Sequence, residues 1–343
     1  MEPPVLVAGQ DLKELAERIL VAAGVPEHKA RLVAEALVAA NLRGVDSHGV
    51  MLLPYYVDQL RAGNVDPDAD GYVVSESGAC LVFEACHGIG HYVSSVCCDH
   101  AVRLAREHGL GMVVSRNSSH FGAAAFWAQR ISFAGMIGMA FTNASPSVPP
   151  WQGREGRIGT NPICVSLPST GKGGWLLDMA TTTVAKNRIY KAAAGGQPSI
   201  PAGWAMDADG IPTQDTQQAL AGLLMPLGGY KGSGLGMLIE ILCGVLGGGA
   251  MSVQLGGLHS IGRRMCTSHC FLAIDIARLM PPSEFQARME YLVTTVKSAK
   301  PAQRYDEVMV AGDPEWRTEG RRLQEGIPLD PSVWKRLTEL ACD

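Results

Sequence analysis

GMVVSRNSSHFGAAAFWAQRISFAGMIGMAF, residues 111–141, decides the architecture. Its two ends, GMVVS (111–115) and MIGMAF (136–141), are short apolar runs of strand type, and Ala123–Ala134 between them reads as a helix. The joint between strand and helix is Asn117-Ser118-Ser119-His120-Phe121-Gly122-Ala123-Ala124, mostly small and polar residues. Strand, loop, helix and strand in so short a stretch is the unit of an α/β protein. Its strand-to-helix loop lies at a carboxyl end of the sheet, where such proteins place ligands.

The pattern extends upstream. YVVSES (72–77) and CLVFEA (80–85) form a hairpin about Ser77-Gly78, and a helix runs from His91 to Glu107 with Gly109 after it. The first 65 residues are helical: Leu12, Leu15, Ile19 and Leu20 share a face, and Gly24 stops that helix. Pro26 opens a second helix with Val33, Leu37 and Val38 on its apolar side, and a third reaches Leu60 with a kink expected near Pro54. Downstream, ICVSLP (163–168) and WLLDMA (175–180) read as a strand pair and FLAIDI (271–276) as a later strand.

Charge divides the rest. Of the 63 residues from 281 to 343, 20 are charged, against 6 of the 61 from 220 to 280. The tail is expected to be a solvated helical layer and 220–280 interior. The segment 232–251, GSGLGMLIEILCGVLGGGAM, is a poor membrane span, since it carries Glu240 and seven glycines. A helix buried on all sides is the expectation there.

Across all 343 residues the net charge is -4, with 47% apolar and 18% charged residues, which excludes a disordered chain and a basic nucleic-acid binder. The opening MEPPVLVAGQDLKEL has acids too early and an apolar run too short for a secretory leader. Nine cysteines without a Cys-x-x-Cys read as reduced thiols, so a soluble cytoplasmic protein is expected. No P-loop is present, and GIGHYV (88–93) follows a hairpin and lacks the third glycine of a Rossmann fingerprint. Cys266-x-x-x-Cys270 with His269, and Cys97-Cys98 with His100, match no zinc pairing, and no H-E-x-x-H occurs, so no metal site is expected.

Three loops hold the chemistry. In Asp46-Ser47-His48-Gly49 a histidine suited to proton transfer near neutrality has a serine able to orient its ring. Read alone, it is more simply a capped helix start with a surface histidine. In Asn117–Ala124, small residues at a helix start offer backbone N–H groups to an anion, and an ordinary capped turn would look the same. In Gly228-Gly229-Tyr230-Lys231-Gly232-Ser233-Gly234, glycines let the backbone approach a ligand and Lys231 adds a point charge.

Together the chain resembles the type-2 malate/L-lactate dehydrogenase family, which also includes sulfolactate and ureidoglycolate dehydrogenases and cyclic-ketimine reductases. The resemblance rests on RGVDSHG (43–49), SSHFGAA (118–124), GTNPI (159–163), LDMATT (177–182), GWAMDADGIPT (203–213), GGYKGSGL (228–235) and GIPLDP (326–331), in order. It implies a non-Rossmann, sulfolactate-dehydrogenase-like α/β fold, a mixed sheet with helical N- and C-terminal layers. Residues 1–70 with 281–343 would form a helical substrate and dimerisation region, and 71–280 an α/β cofactor-binding domain. It further implies NAD or NADP as cofactor, a small-molecule substrate and a homodimer, with no nucleic-acid or membrane partner.

Position by position, His48 resembles the family's proton donor and Ser47 its orienting partner. His120, Phe121, Gly122, Ala123 and Ala124, then Asp178, Met179 and Ala180, and Lys231 match cofactor contacts. Thr160 matches a substrate-contacting threonine, and in some members the equivalent of His120 is the acid/base. Two positions depart. Leu52 stands where the family has an arginine that clamps the substrate carboxylate, a loss of about 1.5–3 kcal/mol per charged hydrogen bond. Arg188 stands where some ketimine reductases carry an aspartate. The expected activity is reduction of a 2-oxo acid, or oxidation of the 2-hydroxy acid, with Leu52 favouring bulky substrates unless a cation such as Arg43 compensates. Cyclic-imine reduction is the alternative, and an inactive nucleotide-binding member is an alternative of another class.

Overall fold

Two glycines let the helices lie directly against the sheet. A Cβ at Gly111 would stand 2.1 Å from the Ala101 carbonyl oxygen, and one at Gly138 would stand 2.2 Å from that of Ala128. Only a residue without a side chain permits such an approach. The computed structural model describes residues 3–168 and 174–342.

The chain begins with β1 (Val5–Val7), α1 (Gly9–Ala22), α2 (Glu27–Leu42) and α3 (Leu53–Arg61). It continues through β2 (Tyr72–Ser77), β3 (Cys80–Glu84), α4 (Gly90–His108), β4 (Leu110–Ser118), α5 (Ala124–Ser132) and β5 (Met136–Thr142). β6 (Ile163–Ser166), β7 (Leu176–Met179) and α6 (Lys186–Ala194) precede a small three-stranded sheet of β8 (Ala205–Met206), β9 (Pro212–Thr213) and β10 (Leu223–Leu224), which also embraces α7 (Thr216–Ala221). Last come α8 (Tyr230–Glu240), β11 (Thr267–Asp275), α9 (Pro282–Lys297), α10 (Asp313–Glu325), β12 (Ile327–Leu329) and α11 (Pro331–Leu340).

The main sheet has seven strands in the order β2-β3-β4-β11-β5-β6-β7, and it is mixed: β3 and β4 run parallel, the other neighbours antiparallel. The late strand β11 is threaded between β4 and β5, so that Phe271 faces Val113 on one side and Ala140 on the other. Trp127 of α5, with Phe121, Phe271, Val113 and the small residues of α4, makes the core on the helix-covered face. A second core unites the chain ends: β1 pairs with β12, and Leu12, Leu15, Ile19, Val33, Leu37 and Leu53 pack with Ile327, Leu329 and Leu337.

Two details of the elements depart from expectation. Pro54 sits in the first turn of α3 and starts that helix instead of kinking it, because a first-turn residue needs no N–H partner. The segment from 232 is not buried on all sides. α8 continues into a π turn over Ile241–Val245, and Met237, Leu238, Ile241, Val245 and Leu246 are 43–59% exposed, while Ile239, Glu240, Cys243 and Gly244 face inward. Period-3.6 patterning cannot separate an all-round apolar helix in a core from one whose outer face is apolar. Among the described residues, no helix is long and apolar enough to cross a membrane.

Candidate active site

His48 ends a single tight turn, Asp46–His48, between α2 and α3. Two side chains, Asn41 and Arg322, anchor that turn. Asn41, buried at the end of α2, accepts the Val50 N–H at 2.8 Å and donates to Asp46 Oδ1 at 2.7 Å. Arg322 of α10 grips both carboxylate oxygens of Asp46, at 2.6 and 3.0 Å, and also donates to the Asn41 carbonyl. Gly49 leaves room for the Asn41 amide, since a Cβ there would lie 2.1 Å from Asn41 Oδ1 and displace it. Within the turn, Ser47 Oγ and His48 Nδ1 are 3.0 Å apart, a hydrogen bond that orients the ring.

His120, at the end of β4, completes the centre. Its ring stacks on that of His48 with centroids 5.9 Å apart and planes 21° from parallel. The Tyr56 hydroxyl of α3 lies 2.8 Å from His120 Nδ1, and the Gly122 N–H donates to the same nitrogen at 3.2 Å. Behind them sit two fully buried histidines. His91 of α4 packs edge-on against Tyr56, and His269 of β11 stacks on Phe121 at 4.6 Å while its Nδ1 pairs with Thr142 Oγ1. Burial pulls the imidazoles of His91 and His269 each down to about 3. Burial also lowers His48, and it takes His120 well below the ordinary histidine range, with the neighbouring imidazoles adding to the effect. The centre is thus a set of neutral rings.

The other expected residues line a seam leading away from this centre. The Asp178 carboxylate, at the end of β7, accepts the Ala125 N–H at 3.0 Å, which sets Asp178, Met179 and Ala180 against the start of α5. Thr160 accepts the Thr181 N–H at 2.9 Å, and the Thr181 carbonyl accepts the Leu227 N–H at 3.0 Å, so both loops adjoin Gly228–Lys231. Asn161 ties the seam to α8, donating to the Gly236 carbonyl at 2.9 Å and to Glu240 at 3.1 Å. Lys231 is exposed in the first turn of α8.

Such a donor set fits a dinucleotide. α8 starts behind Gly229 without a side-chain cap, leaving first-turn backbone amides for a diphosphate beside the Lys231 ammonium, whereas in the first turn of α5 the Ala125 N–H is taken by Asp178. The Asp178 carboxylate suits sugar hydroxyls.

Phe121, Leu52 and Arg43 are each engaged within the fold. The Phe121 side chain is 2% exposed, stacked on His269, and its carbonyl takes the Trp127 indole N–H at 2.7 Å, so it shapes the loop from within. Leu52 is 5% exposed and packs in the helical core with Val50 and Leu53, because a leucine gains more from carbon neighbours than from a wet pocket. Nor is Arg43 free to replace the missing arginine: it donates to Gln129 at 3.1 Å and lies over the Trp316 ring. Arg188 is exposed on α6.

Asn41, Tyr56, His91 and Arg322 were not singled out from sequence, and His269 was weighed only as a metal ligand beside Cys266 and Cys270. Tyr56 lies on α3 while His48 lies in the separate turn before it, so no helical spacing links the two in the sequence. Arg322 carries no local signal.

The family profile of malate/L-lactate dehydrogenase matches residues 7–338. The chain belongs to that family. It is 35% identical over 332 residues to a malate dehydrogenase from Pyrococcus horikoshii, covering 94% of this chain and 91% of that one. The solved sulfolactate dehydrogenase of Methanocaldococcus jannaschii superposes with a TM-score of 0.93 at 33% identity, over 98% of this chain and 97% of that one. A delta1-piperideine-2-carboxylate reductase from Pseudomonas syringae superposes with a TM-score of 0.87 at 29% identity, over 98% and 99%. The protein is therefore an oxidoreductase of the dehydrogenase/reductase class, on the mixed-sheet fold that this family shares.

Proposed function

We propose that this chain interconverts a 2-oxo acid and its 2-hydroxy acid, with NAD or NADP as the redox partner. The observation that carries the reading is the His48 ring, oriented by Ser47 Oγ and stacked on His120 at the head of the cofactor seam. When bound, the nicotinamide exchanges a hydride with the substrate carbon. His48 gives the proton that the carbonyl oxygen needs as the C=O bond becomes CH–OH, and takes it back in the oxidation. Ser47 holds the ring, Asp178 and the α8 start with Lys231 hold the dinucleotide, and Thr160 faces substrate.

The missing arginine sets the substrate class. With Leu52 turned into the core and Arg43 engaged by Gln129 and Trp316, no substitute clamp for a small carboxylate is offered from either position. Bulky or cyclic 2-oxo acids are expected to outperform pyruvate and oxaloacetate. Likeness to the piperideine-carboxylate reductase supports a second reading, reduction of a cyclic C=N carbon beside a carboxylate. The exposed apolar stripe of Met237, Leu238, Ile241 and Val245, with Tyr72, Val73 and Val74 on the edge strand, supports a homodimer that covers it. The joined chain ends support a helical unit of 1–70 with 281–343 on a cofactor-binding 71–280.

One screen tests this: NADH and NADPH oxidation against pyruvate, oxaloacetate, bulkier 2-oxo acids and cyclic imino acids. Turnover of bulky 2-oxo acids supports the first reading, and turnover confined to imines the second. A wide preference for oxaloacetate or pyruvate would sink the substrate argument. Cofactor binding without turnover on any of them would mark an inactive family member.

A further inference from the structure

Two donors converge on one nitrogen of His120. The Gly122 backbone N–H points at Nδ1 from 3.2 Å, and the Tyr56 hydroxyl lies 2.8 Å from it. An amide N–H can only donate, so Nδ1 presents its lone pair and the hydroxyl donates to it as well. A neutral imidazole with Nδ1 bare carries its proton on Nε2. The surroundings hold that arrangement in place. Phe121 is clamped by its stack on His269 and by the Trp127 indole, so the loop on the far side of His120 is pinned. Tyr56 is 9% exposed, with His91 edge-on against its ring at 5.4 Å, so the phenol stays where it is.

We propose that Tyr56 is a positioning residue that locks His120 as its Nε2–H tautomer, so that His120 donates a hydrogen bond to the substrate oxygen while His48 alone exchanges the proton. The inference rests on the reductase reading for the donor role; the tautomer itself does not. To become an imidazolium, His120 would have to place a proton on Nδ1, against the Gly122 N–H and in place of the Tyr56 bond. The titratable groups that face it are His48 from the turn before α3, Tyr56 from α3, His91 from α4, His259 from the loop before β11 and His269 from β11. None of these is a carboxylate that would favour a cationic ring. A neutral imidazole of fixed tautomer polarises a carbonyl without giving up its proton.

Histidine-selective 15N NMR on the full chain tests the tautomer, with His120→Gln identifying the signal. In wild-type protein the His120 proton is expected on Nε2, without titration through the neutral range. Tyr56→Phe is expected to release it, giving a tautomer mixture or a titrating ring. A wild-type proton on Nδ1, or a wild-type His120 that titrates like an ordinary histidine, overturns the proposal even if Tyr56→Phe fails to fold. Kinetics supply a second arm. A glutamine amide still donates but cannot cycle a proton, so His120→Gln is expected to keep the pH dependence of kcat/KM that His48 sets, whatever its effect on kcat. Loss of that pH dependence in His120→Gln overturns the assignment. Should wild-type protein turn over no substrate, the reductase reading falls and with it the donor role, while the NMR arm still decides the tautomer.

Discussion

Arg322, near the end of α10, holds Asp46 with the two terminal guanidinium nitrogens, so a helix close to the C-terminus sets the turn that carries His48. The two are 276 positions apart in sequence. Asp46 is half-exposed, so water cushions its loss, and Arg322→Ala is expected to cost about 1–2 kcal/mol of stability. The kinetic effect is expected to be larger, because a catalytic group displaced by about 1 Å loses up to 10²-fold in rate. Arg322→Ala is therefore expected to lower kcat by roughly 10–100-fold at an unchanged cofactor Kd. Wild-type kcat in a folded variant would show that the turn holds itself.

His48→Ala or His48→Asn is expected to leave cofactor binding intact and to reduce turnover by about 10²–10⁴. The same residue sets the pH dependence. Burial lowers its pKa, so in the free enzyme at neutral pH His48 is mostly the base. Oxidation of the hydroxy acid, which needs the neutral ring, is expected to rise with pH through a midpoint below the ordinary histidine value and then level off. Reduction needs the protonated ring, so its kcat/KM is expected to fall as pH rises through that same lowered midpoint. Parallel profiles in the two directions would remove His48 from the proton step.

Lys231 is exposed, so its side chain contributes little to the fold. Beside the uncapped start of α8 its charge adds to the backbone dipoles, a contact worth about 1–2 kcal/mol to a phosphate. Lys231→Ala is expected to raise the cofactor Kd about tenfold, measured by fluorescence titration, with Tm unchanged. An unchanged Kd would make the glycine loop structural only.

Acid stability reports on the two buried histidines. Both His91 and His269 titrate near 3 when folded and near 6.5 when unfolded. The unfolded chain therefore binds the extra protons. Stability is complete above pH ~6.5 and is lost as pH falls from there toward 3. By pH ~5 each residue is expected to cost about 2 kcal/mol. His91→Phe is expected to flatten the dependence of Tm on pH, and an equally steep curve in that variant would assign the loss to other groups.

How much of this was legible beforehand follows from the range of each interaction. Gly109, the Ser77-Gly78 hairpin and the apolar runs 111–115 and 136–141 act within a few residues, and the structure has the expected elements at those places. FLAIDI, 271–276, was also readable as a strand, and β11 covers its first five residues and begins earlier, at Thr267. Its place between β4 and β5 was not, because pairing partners more than a hundred residues away leave no mark on local periodicity. Likewise 232–251 could be read as apolar, but which face meets the core depends on what the rest of the fold puts beside it.

The sequence by itself determined the kinds of group available: a histidine beside a serine, a second histidine at a strand-to-helix loop, a lysine among glycines, and a leucine in place of an arginine. Residue identity and local spacing carry that information, and seven ordered motifs carry the family. Only the tertiary structure decided how these groups are held. It brought Arg322 to Asp46, Tyr56 to His120 and His269 to Phe121, turned Leu52 into the core, and occupied Arg43 with Trp316. These contacts join segments distant in the chain. Hydrogen-bond direction, ring stacking and desolvation act through space, so they exist only once the fold has brought their partners together.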